Sequence, residues 1–211
     1  MIYRLLAIIL FCPLALFAQS APIDPLALPN QDKHQDLLIA ADPYVSADRY
    51  DKERFGKKPP YQGGIIAIDV YFRNDNDAPI RLNLSSMRLV VAPPGMERQQ
   101  LEALSAEEVT DRMILTAHAN PTVRRLPLPM PSAKSGKGKA WDEMAATLRS
   151  VALSTDVLPP HATTHGFIFF DLDHQFDAIR HSQLYIPDLA FMTNRKALFF
   201  FEIELGPKPT N

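Results

Sequence analysis

The amino-acid sequence predicts a mainly β protein, an antiparallel β-sandwich with a two-helix insertion between its halves. Three observations favour this fold class. Several short segments alternate at period two, two stretches near the middle of the chain have helical spacing, and no regular alternation of strands with helices is present. The 19 prolines among 211 residues supply turns between strands, and the 8 glycines leave few sites for a phosphate-binding loop.

The clearest strand pattern lies at residues 65–72. Its even-numbered residues are all apolar, and its odd-numbered residues, which include Asp69, form the opposite face. Turn-forming residues follow at 74–79, and the segment 80–84 continues as a second strand. The apolar parity then shifts by one residue at 85–86, which predicts a β-bulge.

Four more segments have strand character: 36–40, 163–172, 184–187 and 196–205. The second of these contains an unbroken apolar run from Phe167 to Phe170, which predicts a strand buried on both faces. In the last segment, Phe199 belongs to the alternating set that is predicted to face the core, with Glu202 and Glu204 facing solvent.

Two helices are predicted in the middle of the chain. Ser105 and Glu108 have the spacing of a capping box, which predicts a helix that ends at about Leu115. A second helix is predicted where apolar residues recur at helical spacing from Trp141 onward. The charged stretch 48–55 is predicted to be a surface loop or a single helical turn.

The first twenty residues have the features of a secretory signal peptide. Arg4 supplies a positive charge, and residues 5–18 are almost wholly apolar. A helix of that length reaches roughly 21 Å, short of the roughly 30 Å hydrocarbon core of a bilayer. Cleavage is expected after Ala18 or Ser20, and the mature protein is expected to be periplasmic or secreted. An uncleaved N-terminal anchor is the alternative.

This interpretation divides the chain into five parts. They are a signal peptide at 1–20, a loose lead-in at 21–33, a single β-sandwich domain at 34–205, its helical insertion at about 96–155, and a tail at 206–211. No membrane span is expected after the signal is removed.

Cys12 is the one cysteine of the chain, and it lies within the predicted signal peptide. A lipoprotein cysteine requires a small residue before it, and Phe11 occupies that position, so we expect Cys12 to be discarded with the signal. The mature chain would then contain no disulfide, and its stability is expected to depend on its hydrophobic core.

Two parts of the sequence resemble the immunoglobulin-like domains of bacterial envelope and secreted proteins. The resemblance covers about residues 64–92 and 157–205, and it is carried by GIIAIDVYFRNDNDAPIRLNLSSMRLVV, LPPHATTHGFIFFDL, LYIPDL and ALFFFEIEL. It does not cover the middle of the chain, 96–155. The resemblance implies a non-catalytic binding or assembly module, and no catalytic residues carry over from that group.

A basic stretch at 121–140 is the first candidate binding site. It contains five positive charges and no acidic residue: Arg124, Arg125, Lys134, Lys137 and Lys139. On a chain with net charge −2, such a stretch could hold an anionic polymer, a lipid head group or an acidic partner. A flexible, solvated linker is the alternative, and the charged, proline-bearing composition favours it.

A polar cluster after the aromatic strand is the candidate metal site: Asp171, Asp173, His174 and Asp177. Its spacing imitates part of a calcium loop, but Phe176 stands where that loop needs glycine and Ser182 where it needs glutamate. Carboxylates and imidazoles also suit other metals. The alternative is an ordinary polar loop at the end of a strand.

The sequence favours a non-catalytic protein over an enzyme. It contains no Gly-x-Ser-x-Gly elbow and no His-Glu-x-x-His motif. A pair of carboxylates such as Asp171 and Glu202 could still meet in space and hydrolyse a sugar.

We therefore interpret the chain as an exported non-catalytic binding or assembly module of the cell envelope. Its expected partner is an envelope protein or an anionic envelope polymer, and no cofactor is expected. The small net charge argues against nucleic-acid binding. Two alternatives are an envelope hydrolase with an unrecognised carboxylate or histidine site and a metal-binding carrier.

Overall fold

A computed structural model describes residues 24–118 and 138–206 of the protein. The predicted signal peptide, the residues of the basic stretch from 121 to 137 and the last five residues of the tail lie outside the described residues. No helix among the described residues is long and apolar enough to cross a membrane.

The described residues form eleven strands and three helices. The strands are β1 (Gln31–His34), β2 (Leu37–Pro43), β3 (Ile65–Asn74), β4 (Ile80–Arg81), β5 (Arg88–Val91), β6 (Gln99–Glu102), β7 (Val157–Leu158), β8 (Thr163–Asp171), β9 (Ser182–Ile186), β10 (Ala190–Phe191) and β11 (Phe201–Glu204). The helices are α1 (Lys52–Phe55), α2 (Ala106–His118) and α3 (Lys139–Val151). Short 3-10 turns lie at Pro25–Ala27, Ala47–Arg49, Pro60–Gly63, Leu84–Ser86 and Phe176–His181.

The strands form three sheets, and every pair of neighbouring strands in them is antiparallel. The first sheet has the order β1-β2-β3-β8, the second β10-β4-β7 and the third β11-β9-β5-β6. The predicted class, mainly β with antiparallel sheets and few helices, is therefore confirmed.

One hydrophobic cluster joins the first sheet to the third. Ile66, Ile68 and Val70 of β3 belong to it together with Leu184 and Ile186 of β9, and all five are fully buried. These β3 residues are the even-numbered apolar set that the sequence pattern places on one face. Burial of branched side chains between two sheets is the main source of stability in such a packing.

The odd-numbered residues of β3 face a second cluster. Ile65 and Ala67 pack there with Val109 and Met113 of α2 and with Leu148 of α3. The molecule therefore has a layer of helices on one face of the first sheet and the third sheet on its other face. Burial on both faces explains the unbroken apolar runs at residues 65–68 of β3 and 167–170 of β8.

The predicted capping box is present at the start of α2. The Glu108 carboxylate accepts a hydrogen bond from the Ser105 backbone N–H at 2.7 Å, and Ser105 Oγ accepts one from the Glu108 N–H at 3.2 Å. Helix α2 ends at His118, one turn beyond the predicted end. Helix α3 is tied to it by the Trp141 indole N–H, which donates to Asp111 Oδ1 at 2.6 Å.

The parity shift at 85–86 is not a bulge. Residues Leu84–Ser86 form a 3-10 turn, and the predicted strand 80–84 is reduced to β4. The change of parity arises because the chain leaves the second sheet at β4 and enters the third at β5. A shift of apolar parity can therefore mark a change of sheet as well as a bulge within one strand.

Three other differences concern the ends of elements. Strand β1 begins at Gln31, inside the predicted loose lead-in, and β6 lies inside the predicted helical insertion. Phe199 does not face the core, because β11 begins only at Phe201 and the Phe199 side chain is 72% exposed. The apolar alternation of the sequence extends beyond the end of the strand, so it predicted one core residue too many there.

Candidate functional site: an apolar cavity at the edge of β8

A cavity of about 560 Å³ opens beside the outer edge of β8. Its apolar walls include Leu104, which precedes α2, Leu153, which follows α3, and Phe167 and Phe169 of β8. The volume lies within the roughly 300–1,000 Å³ range of small-ligand sites, which are also mostly apolar.

Two backbone hydrogen bonds position the walls of the cavity. The Leu104 N–H donates to the Phe169 carbonyl at 2.8 Å, and the Leu153 N–H donates to the Phe167 carbonyl at 2.9 Å. The residues that enter and leave the helical layer therefore each donate one backbone hydrogen bond to the edge strand, on either side of Ile168. The cavity lies between these two contacts because neither contact continues into a full strand pairing.

Polar side chains surround this apolar floor. Ser85 and Ser154 are exposed hydroxyl residues that line the cavity, and Glu107 and Arg149 line it as an ion pair between α2 and α3. The capping-box carboxylate of Glu108 also lines the cavity, so the rim offers hydrogen-bonding groups and one carboxylate beyond the Glu107–Arg149 pair. Such a cavity suits an apolar group that carries amide-like polar atoms, and the surplus carboxylate disfavours an anionic ligand.

A buried carboxylate forms the second notable cluster, on the helix-side face of the first sheet. Asp69 is 1% exposed. Its Oδ2 accepts a hydrogen bond from the Tyr71 hydroxyl at 3.0 Å, and its Oδ1 lies 3.1 Å from Nδ1 of His165. Tyr71 and His165 are register partners whose rings stack with centroids 4.8 Å apart. Burial, and then the adjacent Asp69 charge, raises the pKa of the Tyr71 phenol.

Arg49 supplies the positive charge beside this cluster. It makes a bidentate pair with Asp42 at 2.8 and 2.7 Å, and Asp42 is the register partner of Asp69 on the neighbouring strand. Its guanidinium also lies 4.1 Å from the centre of the Tyr44 ring. The hydrogen bonds to Asp42 raise the pKa of Arg49, so the guanidinium stays charged. The residues form a connected polar network between strands.

The sequence pattern could not identify this network as a site. Asp69 is visible in the sequence as a single acidic residue inside an apolar strand, which is a signal of a partnered buried charge. Its partners lie elsewhere in the chain, on a neighbouring strand and on a short turn. The five described cavities are lined by none of Asp69, Tyr71 and His165.

The predicted metal-binding side chains are not drawn together around one point. Asp171 forms an ion pair with Arg112 of α2 and accepts a hydrogen bond from the Asp173 backbone N–H at 3.0 Å. Asp177 pairs with Arg180 at 3.7 Å, and the His174 ring contacts Phe176 edge-on. Within the described part of the chain, no group of three His, Cys, Asp or Glu side chains is placed to hold a metal. Metal binding stays a prediction without geometric support.

One residue of the predicted basic site lies in the described chain. Lys139 begins α3, is 90% exposed and pairs with Glu143 at 3.6 Å, one helical turn further on. Arg124, Arg125, Lys134 and Lys137 lie outside the described residues.

Comparison with known proteins gives a weak structural similarity. No protein-family model matches it, and no curated protein matches it either. Among solved structures, the chain is similar to a functionally unknown protein from Listeria monocytogenes EGD-e, with 11% identity, a TM-score of 0.37, and coverage of 84% of this chain and 82% of that chain. Similarity at this level assigns neither a family nor a function.

Proposed function

We propose that the protein is an exported, non-catalytic binding module of the cell envelope that holds an apolar segment of a partner polypeptide in the cavity beside β8. The observation that carries the proposal is the cavity itself, an apolar space of about 560 Å³ with a polar rim at a strand edge. Sites of this shape hold a few apolar side chains and use surrounding polar groups to fix their orientation.

The edge strand is the reason to favour a polypeptide as the occupant. The first sheet ends at β8, and its outer edge is engaged by single contacts from Leu104 and Leu153. Pockets beside strand edges commonly select the side chains of bound peptides. The Phe167 and Phe169 carbonyls of this edge already accept the Leu153 and Leu104 N–H groups, so the cavity holds the side chains of the peptide and not its backbone. The neutralised Glu107–Arg149 pair and the serine hydroxyls give the rim groups that can bond to peptide amides.

Export and the immunoglobulin-like relationship are parts of the same proposal. The signal-like pattern of the first twenty residues supports export. Two antiparallel sheets that share one core support an immunoglobulin-like domain, to which the second sheet and the helical layer would be additions.

Site-specific photocrosslinking in intact cells tests the proposal. A benzoylphenylalanine at Ser154, an exposed residue on the rim, should give one dominant protein adduct. Ser85→Trp should remove that adduct, because the indole fills the cavity from its other side. Ser150→Trp is the matched control, since Ser150 is exposed on α3 outside the cavity lining, and it should leave the adduct intact. Equal adducts in all three proteins would overturn the proposal.

The His165–Asp69 pair is the observation that favours an enzyme instead. A carboxylate that holds one ring nitrogen of a histidine is the arrangement by which a general base is oriented. A hydrolase that depends on this pair would lose its activity in His165→Ala. In the binding module, the same variant should retain the Ser154 adduct.

A further inference from the structure

A second cavity, of about 540 Å³, lies beside the second sheet and is lined by residues of β4 and β10. It is lined by Arg81 on the central strand β4 and by Arg195 in the turn that follows β10. A smaller neighbouring cavity of about 240 Å³ is lined by the same two arginines. Both arginines therefore border one connected region of surface.

The backbone fixes the approach of these two residues. Arg81 is paired in register with Ala190 of β10, and the chain then turns back so that Ala190 also bridges to Ala197. Within this turn the Arg195 N–H donates to the Phe191 carbonyl at 2.9 Å, and the Phe191 N–H donates to the Lys196 carbonyl at 2.9 Å. Arg195 has a left-handed backbone with φ of 58°, as expected at a tight turn.

The charges of these arginines are not used within the described structure. Seven other described arginines form ion pairs with carboxylates: Arg49, Arg54, Arg73, Arg88, Arg112, Arg149 and Arg180. Within the described residues, neither Arg81 nor Arg195 makes a side-chain hydrogen bond or an ion pair, and both are exposed. Arg81 and Arg195 therefore place two unpaired guanidinium groups on one cavity, whereas most of the described arginines pair with carboxylates.

We propose that this cavity binds an oxyanion group, a phosphate or a carboxylate, of an anionic ligand. The planar guanidinium matches both groups with two parallel N–H donors, so two arginines can hold one oxyanion from two directions. Asn83 lines the same cavity, and its Oδ1 accepts from Ser85 Oγ at 2.9 Å, which leaves its amide N–H groups as further donors.

Asp188 is expected to weaken anion binding at this cavity, in contrast to the two arginines. It is exposed and lines the cavity, and in the described part of the chain it forms no ion pair with either arginine. Its negative charge lowers the net positive charge of the cavity and repels a bound anion. Asp188→Asn should therefore tighten binding, whereas loss of either arginine should weaken it.

Calorimetric titration of the full protein at low salt tests the proposal, with glycerol phosphate and glucuronate as the two probes. Saturable binding of glycerol phosphate alone identifies phosphate as the recognised group. Saturable binding of glucuronate alone identifies carboxylate. Arg81→Gln and Arg195→Asn should each weaken the bound probe by roughly tenfold or more, the effect of losing a charge-assisted hydrogen bond. Asparagine is chosen at position 195 because it tolerates the left-handed backbone.

Arg98→Gln is the matched control. Arg98 is also exposed and unpaired among the described residues, but it lies outside this cavity, so its loss should leave binding unchanged. The proposal is overturned if neither probe saturates the wild-type protein, or if Arg98→Gln weakens binding as much as Arg81→Gln does. Thermal unfolding of each variant checks that the exposed substitutions leave the fold intact.

Discussion

Gly166 of β8 lies directly against the backbone of Leu153. A Cβ atom on Gly166 would stand 2.6 Å from the Leu153 Cα and 2.7 Å from its backbone nitrogen. This close approach lets the Leu153 N–H reach the neighbouring Phe167 carbonyl, so the absence of a side chain at Gly166 makes one wall of the apolar cavity.

Gly166→Ala is therefore expected to destabilise the protein. The added methyl group must displace backbone, and overpacking of this kind typically costs about 1–3 kcal/mol of unfolding free energy. Urea denaturation measures the loss. Gly138→Ala is the control, because a Cβ there meets no atom within 4 Å, and its cost should stay below roughly 1 kcal/mol, the usual range for a changed helix cap.

Removal of the Asp69 carboxylate should be costly in a different way. Asp69→Ala leaves the Tyr71 hydroxyl without its acceptor and removes the contact of Oδ1 with the His165 ring, and each lost hydrogen bond to a charged group is worth about 1.5–3 kcal/mol. Tyr71→Phe removes one of those bonds and should cost less. In a double-mutant cycle measured by urea denaturation, the double variant should lose less unfolding free energy than the sum of the two single losses, because both single variants remove the same hydrogen bond. Additive losses would contradict the network.

The protein should lose stability in alkali, because the pKa of the Tyr71 phenol is raised above its ordinary value of 10.0. The folded state then keeps a proton that the unfolded state releases, so the Tyr71 contribution is complete below about pH 10 and falls as the pH rises towards the folded pKa. Burial raises the pKa of Tyr50 in the same direction.

Unfolding free energies measured in urea between pH 8 and pH 11 would show this trend. These limits bracket the ordinary phenol pKa of about 10. Tyr71→Phe should make the decline shallower, whereas Tyr185→Phe is the control, since Tyr185 lies on the outer side of the third sheet and its strand partner is the solvent-facing Glu202. An unchanged slope in Tyr71→Phe would show that this phenol does not couple ionisation to folding.

Processing of the N-terminus has a simple readout. If the signal peptide is removed as proposed, intact-mass measurement of the exported protein should place its first residue at Gln19 or Ala21. The protein would then lack Cys12, and a reducing agent should leave its Tm unchanged. A mass that includes Met1, found in the membrane fraction, would favour the uncleaved anchor.

Local patterns predicted local structure well. The two faces of β3 and the Ser105–Glu108 capping box follow from the spacing of residues close in sequence, and both are present. The misplaced Phe199 and the bulge expected at 85–86 have one cause. Period-two alternation reports which side chains alternate, but not where a strand ends or which sheet it joins.

The candidate sites depend on contacts distant in sequence, and this is why the sequence did not reveal them. Arg81 and Arg195 line one cavity only because β4 pairs with β10, two strands of two residues each that carry too little pattern to detect. Leu104 and Leu153 meet the same strand although two helices separate them in the chain. The local excess of positive charge predicted Arg124 and Lys134 as binding residues. It could not identify Arg81 or Arg195, because unpaired arginines cannot be distinguished from paired ones before the fold is known.

The contacts of Leu104 and Leu153 with β8 also mean that the segment containing α2 and α3 begins and ends beside the same strand. The segment begins where Leu104 bonds to Phe169 and ends where Leu153 bonds to Phe167, two residues away on β8. Insertions or deletions between Leu104 and Leu153 would change the length of this segment without shifting the register of the first or the third sheet. This region of the protein is accordingly the place where related chains could differ most in length and still share the same sheets.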